Sequence, residues 1–354
     1  MLFATTQLYA DTLYPPGLSG ILQNQPGFQT TQYSSQGITT PVNLPTFQEA
    51  VDVIVSPENP KPGEKVKITI TSSSIDVKRA TFTWIVNGKK TEEGIAKSSL
   101  EIEAGKAGET TGISVVLRSP TGQQATKKVS ITPSDIDLTW QAGTYTPPFY
   151  EGKALYSIQS GLTAVAFPHI ISGGKEVSPD SLVYEWKING VPQASLSGYA
   201  KNSIAIPAKF LPQTITIEVK ASTLDGNLAA YETISVDPID PKILFYRKLP
   251  LQGVATEKAL VGEAELADQE GTFIAIPYFF SSDTPNSSIT YSWSINSAKT
   301  ETPPNEKEIT LRNTENNTGR SRVGLRVENM KNILQAAENS FILNYNPIEQ
   351  TASF

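Results

Sequence analysis

Three tryptophans, Trp84, Trp186 and Trp293, stand about a hundred residues apart in one local text: Phe82-Thr-Trp84-Ile-Val-Asn87-Gly88, Tyr184-Glu-Trp186-Lys-Ile-Asn189-Gly190 and Tyr291-Ser-Trp293-Ser-Ile-Asn296-Ser297. Aromatic and β-branched residues alternating with polar ones make a strand with one dry face, and Asn-Gly is a preferred pair for a tight hairpin. A segment that recurs at domain spacing is a structural module. It therefore predicts tandem β-sandwiches, and it speaks of architecture rather than of catalysis.

The rest of the chain reads as short alternating strands bounded by turn residues. In the first repeat Val66, Ile68 and Ile70 share one face, with Lys65, Lys67 and Thr69 on the other. Strands follow at 98–102, 113–117 and 125–131. The second and third repeats resemble each other more closely: each has an aromatic entry strand (Leu138-Thr-Trp140, Ile243-Leu-Phe245-Tyr246), a Lys-Ala-Leu triplet, an apolar strand ending in proline, the Trp strand and a closing hairpin. The predicted organisation is a signal remnant and flexible tail at 1–48, domains at 49–133, 134–237 and 238–345, and a C-terminal tail at 346–354. The opening Met1 to Asp11 has the look of the last residues of a signal peptide cut after Ala10, or of an ordinary frayed terminus. Residues 11–46 are rich in Pro, Gly, Gln, Ser and Thr, without a period, as in a spacer; the alternative is a strand donated to a neighbour's sheet edge. Seams at 133–137 and 237–241 are short, the second carrying two prolines, so three rigid beads in a rod are expected.

At Trp84-Ile-Val-Asn87-Gly88 and its two echoes the sequence resembles the immunoglobulin-like and PKD-like modules of bacterial surface proteins, over about residues 49–345. The PKD pattern has an acidic Gly-Asp-Gly turn after the Trp, from which this chain departs, so the immunoglobulin-like label fits better. The resemblance implies an all-β chain of three tandem immunoglobulin-like (PKD-like) β-sandwiches, each of about seven strands. It transfers no catalytic residue.

Composition narrows the function classes. A net charge of −6 with scattered Lys and Arg offers no basic stripe for nucleic-acid phosphates. No Cys occurs at any of the 354 positions, which excludes disulfides, thiolate metal sites and a Cys nucleophile. No apolar run approaches the ~20 residues of a transmembrane helix. The single histidine, His169, sits at the edge of an apolar strand with no nucleophile context around it, and reads as structural. A two-carboxylate hydrolase would need a cleft that small sandwiches seldom supply.

Two sets of residues remain as candidate sites. Asp135 and Asp137 at one seam, and Asp237 and Asp240 at the other, are hard oxygen ligands at a junction and so candidate ligands for an interdomain Ca²⁺; the plainer reading is four solvated turn or cap aspartates, because calcium takes about six to eight oxygens. The three repeat tryptophans read as core pins. Trp140, by contrast, lies near Tyr145, Phe149 and Tyr150 around Pro147-Pro148, as an exposed aromatic patch or, preferred here, as packing between domains one and two. The function expected is a non-enzymatic spacer or adhesion segment, secreted or at the cell surface, with a protein or glycan partner. The rivals are a carbohydrate-binding accessory protein, a filament subunit that donates its N-terminal tail, and a cryptic hydrolase.

Overall fold

The computed structural model describes residues 51–347 except 210–212, 267, 284 and 286–287. The expected N-terminal tail and residues 348–354 lie outside the described residues. The first sandwich contains β1 (Val51–Ser56), β2 (Lys65–Ser72), β3 (Thr81–Val86), β4 (Lys89–Ile95), β5 (Ser99–Glu103), β6 (Thr111–Arg118) and β7 (Gln124–Ile131). Antiparallel sheets β1-β2-β5 and β4-β3-β6-β7 face each other. Alternation decides which side chains meet: Val66, Ile68 and Ile70 from β2 and Phe82 and Trp84 from β3 are all buried in one core.

The second sandwich repeats this order with β8 (Asp135–Ala142), β9 (Leu162–His169), β10 (Ile171–Ser172), β11 (Lys175–Glu176), β12 (Val183–Ile188), β13 (Val191–Pro192), β14 (Gly198–Tyr199), β15 (Ser203–Ile206), β16 (Ile215–Ser222) and β17 (Ala229–Val236). Its sheets are β15-β9-β8 and β13-β12-β16-β17, with β10 and β11 forming a separate small hairpin. The third comprises β18 (Lys242–Leu249), β19 (Gly253–Val254), β20 (Glu263–Leu266), β21 (Glu270–Tyr278), β22 (Ile289–Ile295), β23 (Ala298–Lys299), β24 (Glu308–Arg312), β25 (Gly319–Asn329) and β26 (Ala336–Tyr345). Here β20 runs parallel to β26 and covers the last part of an edge on which β7 and β17 have no paired strand among the described residues. Three separate cores and one repeated strand order make the chain a tandem of immunoglobulin-like, fibronectin III-like β-sandwiches.

The repeated motif is explained atom by atom. Each indole is buried, and its Nε1–H donates to a main-chain carbonyl on the segment leading into the next strand: Trp84 to Lys97 O at 2.8 Å, Trp186 to Lys201 O at 2.8 Å and Trp293 to Glu306 O at 3.0 Å. Burying one such ring removes on the order of 200 Å² from water, an upper bound of about 5 kcal/mol. The asparagines do different work. Asn87, Asn189 and Asn296 adopt φ of 49°, 51° and 51°, which Asn tolerates better than most residues. Each then ties its hairpin to the neighbouring strand twice. The main-chain N–H donates to Gly112 O, Thr216 O or Arg322 O at 2.8 Å, and the side-chain Oδ1 accepts from the N–H of that same residue at 2.9, 2.7 and 2.8 Å.

Candidate functional site

Strand β8 starts beside the first sandwich and runs away from it, so the connection at 143–161 emerges at the far pole, where the third sandwich begins. That loop is a clasp. Its residues Gly143 to Tyr145 pair antiparallel with 279–282: Tyr145 N donates to Phe280 O and Phe279 N to Tyr145 O, both at 2.7 Å, and Ser282 N donates to Gly143 O at 2.9 Å. Ile239 N closes the other flank on Tyr156 O at 2.9 Å.

Between these flanks lies a buried polar network centred on Gln335, which is 0% exposed. Its amide is fully used. Nε2 donates to Ile158 O at 2.6 Å and Ser157 Oγ at 3.3 Å, while Oε1 accepts from Ser281 N at 3.0 Å and Asn329 Nδ2 at 2.8 Å. Ser157 Oγ donates onward to Phe279 O at 2.6 Å, and Gln159 Oε1 accepts from Leu334 N at 2.8 Å. Phe279 holds φ 64° and Gln159 φ 58°, a left-handed backbone costly for side chains of this size. The hydrogen bonds on both sides of Phe279 oppose that cost.

Aromatic side chains of the clasp lie on the outer face of sheet β18-β21. Phe149 meets Tyr246 edge to face at 5.5 Å between centroids, and Tyr150 meets Tyr278 at 5.6 Å and Phe279 at 5.9 Å in the same manner. Tyr246 and Tyr278 stand on the outward side of their strands yet are 4% and 5% exposed, because the clasp covers them. Their hydroxyls share one hydrogen bond of 2.8 Å. Burial first, and the Tyr246 hydroxyl second, push the Tyr278 phenol up, so it stays protonated at ordinary pH. Beside these rings opens a cleft of about 510 Å³, with Lys242 and Glu151 among its lining residues.

The structure gives each expected residue a place. Tyr145, Phe149 and Tyr150 contact the third sandwich, where the first had been expected, because the loop that carries them leaves the second sandwich at the opposite pole. Trp140 is separate from them: it is half-buried against the second core, with the Lys153 ammonium 3.5 Å over its ring. Burial pulls the Lys153 ammonium down. Asp135 lies 3.6 Å from Lys61 Nζ and accepts from Ile136 N at 2.9 Å. Asp137 sits 3.2 Å from His169 Nε2, whose Nδ1 is 3.1 Å from Glu176. Asp237 accepts from Thr214 at 2.6 Å, and Asp240 is exposed. Among the described residues no group of three or more His, Asp or Glu is arranged to hold a metal ion.

Sequence reasoning missed Gln335, Ser157, Gln159, Tyr246 and Tyr278 as seam residues. One signal was available. The run Pro277-Tyr-Phe-Phe280 places three large aromatics in succession, and strand alternation can turn only some of them into one core.

No family model matches the chain, and no curated protein does. Solved structures with some likeness include the three N-terminal domains of the outer capsid protein Hoc of bacteriophage RB49, at 12% identity and a TM-score of 0.25 over 85% of this chain and 99% of that one. The central fibronectin III array of RIM-binding protein is similar at 11% identity and a TM-score of 0.29, over 84% and 98%. A mixed-linkage glucan utilization locus protein of Bacteroides ovatus, solved with a mixed-linkage heptasaccharide, is similar at 12% identity and a TM-score of 0.21, over 84% and 70%. The fold assignment rests on the strand order within the sheets and not on these scores.

Proposed function

We propose that this chain is a non-enzymatic spacer or adhesion segment at a bacterial cell surface, in which the second and third sandwiches act as one rigid piece. The observation that carries this reading is the fully satisfied, buried Gln335 network, since a hinge that opens in use would expose every group of that network to competing water. The absence of catalysis is supported by the state of His169. The side chain is 48% exposed and both ring nitrogens lie against carboxylates, with no hydroxyl nucleophile on either. No helix among the described residues is long and apolar enough to cross a membrane.

The test is ¹⁵N relaxation on the whole chain and on a variant lacking residues 1–48, combined with solution scattering with and without calcium. The expected result is one rotational correlation time shared by residues 135–345. Separate times for the second and third sandwiches would overturn the rigid pair. Stiffening on calcium addition would show that the seam aspartates bind the ion, and concentration-dependent growth lost with the tail would favour a filament subunit instead.

A further inference from the structure

The cleft beside the clasp carries features that the scaffold reading does not use. Phe149, in the lining, remains 37% exposed, although it belongs to a segment that covers Tyr246 and Tyr278. The tyrosine pair adds a second, independent feature. Two phenols carry two hydroxyl protons, and the 2.8 Å bond between them uses one. The second proton has no partner among the described contacts, on residues that are at least nine-tenths buried and line the cleft. A donor that no protein group occupies, at the wall of the cleft, is available to an acceptor oxygen that a ligand brings.

We propose that this cleft binds a neutral, pyranose-containing oligosaccharide. A sugar ring offers both things the lining asks for: C–H faces for the exposed aromatic surface of Phe149, and oxygens for the tyrosine hydroxyls. Charge decides between sugar classes. Lys242 and Glu151 are the charged residues of the lining and they cancel, which gives no attraction to a uronate or a sulfated chain. Backbone pairing decides against an extended peptide. The cleft lies on the face of the paired strands β18 and β21, whereas strand addition takes place at a sheet edge. This inference stands beside the spacer reading and does not rest on it.

The experiment is an NMR titration of the full chain with cellohexaose, xylohexaose, mannohexaose and a mixed-linkage β-glucan hexasaccharide, against polygalacturonate, a sulfated glycan and a proline-rich peptide. Binding by at least one neutral oligosaccharide is expected, with amide shifts concentrated at 149–156 and 242–256. Tyr278→Phe, which keeps the ring, should weaken it about tenfold, and Thr256→Val, at another hydroxyl-bearing residue of the lining that leaves the tyrosine pair untouched, should weaken it less. Thermal unfolding of both variants reports whether the fold is intact. The proposal is overturned if no neutral oligosaccharide shifts these amides at about 10 mM, a concentration that reveals even millimolar binding. It is equally overturned if only the acidic glycans or the peptide bind there, or if folded Tyr278→Phe and Thr256→Val both bind like the parent. None of these outcomes bears on the correlation times that test the rigid pair.

Discussion

The two seams of this chain join similar sandwiches through similarly short linkers, yet they are built from different materials. Between the second and third sandwiches the structure buries Ser157, Gln159, Ser281, Asn329 and Gln335 and satisfies them across the junction. Between the first and second, Lys61 pairs at half-exposed positions with Asp135 and Glu232, Ser134 N reaches Pro60 O at 3.2 Å, and Gly108 abuts Ile171. A cavity of about 590 Å³ lies between them, lined by Thr110 and Thr132 on one side and Thr223 and Asp225 on the other. The difference traces to one connection. The loop between the first two strands runs 57–64 in the first sandwich and 143–161 in the second, and only the longer one can fold over the pole and grip its neighbour. The seams thus differ in loop length and in polar satisfaction, beyond the two linker prolines of the second.

Gln335→Ala is the largest expected perturbation of this contrast. It strands Ile158 O and Ser281 N in a dry site, at a cost of about 2–4 kcal/mol. In calorimetry the parent should melt its second and third sandwiches in one transition, and the variant should split it. A single unsplit transition in the variant would show that the main-chain pairing of 143–145 with 279–282 holds the seam without the network.

The first seam should respond to shape more than to charge. Gly108 has φ +75°, and a Cβ there would stand 2.5 Å from Ile171 Cβ, so Gly108→Ala should cost about 1–2 kcal/mol and push the two sandwiches apart. Ile171→Gly in the same chain, which removes that Cβ, should restore the seam in scattering, and no recovery would mean the backbone conformation at Gly108 alone bears the cost. Lys61→Ala comes next. Hydrogen bonding to Glu232 holds the ammonium up, but the side chain is 42% exposed, so the loss should stay under about 1 kcal/mol. A larger loss in thermal unfolding would make the first seam electrostatic after all.

The sandwich cores were legible because alternation and the Trp-Asn motif are local signals: Trp84, Trp186 and Trp293 lie where a period of two puts them, and Asn87, Asn189 and Asn296 turn where Asn tolerates positive φ. The seams were not, for a physical reason. Nothing local distinguishes Gln335, in a loop that reads as an ordinary hairpin turn, from a solvated glutamine, since its burial is decided by Ser157 and Ile158 far away in sequence. The cluster Tyr145, Phe149 and Tyr150 was visible as aromatic, but the direction of its loop, and hence its partner, depends on which pole of the sandwich it leaves. Asp135 and Asp137 were read as seam or turn residues, whereas they open strand β8. Their partners, Lys61 and His169, reach them only once the sheets are assembled.

The smallest effect falls on His169, and it tests whether the first seam carries a pH-dependent element. A neutral imidazole has one N–H, so hydrogen bonds to both Asp137 and Glu176 require the imidazolium. Those two contacts brace hairpin β10-β11 against β8, and the same hairpin presents Ile171 to Gly108. Glu176 first and Asp137 second hold the imidazole above its ordinary value; Asp135 on β8 and Lys175 on β11 are the other charged groups nearby in the ladders. A group raised on folding stabilises fully below its unfolded value of about 6.5, and that contribution is lost as pH rises through the folded value. Because the side chain is 48% exposed, solvent and salt should hold the effect to a few tenths of a kcal/mol. Melting of the parent between about pH 5 and 8 should therefore show a shallow fall in stability that His169→Gln abolishes and added salt flattens. If the variant keeps the same slope, the dependence belongs to other groups, and the first seam is held by shape alone.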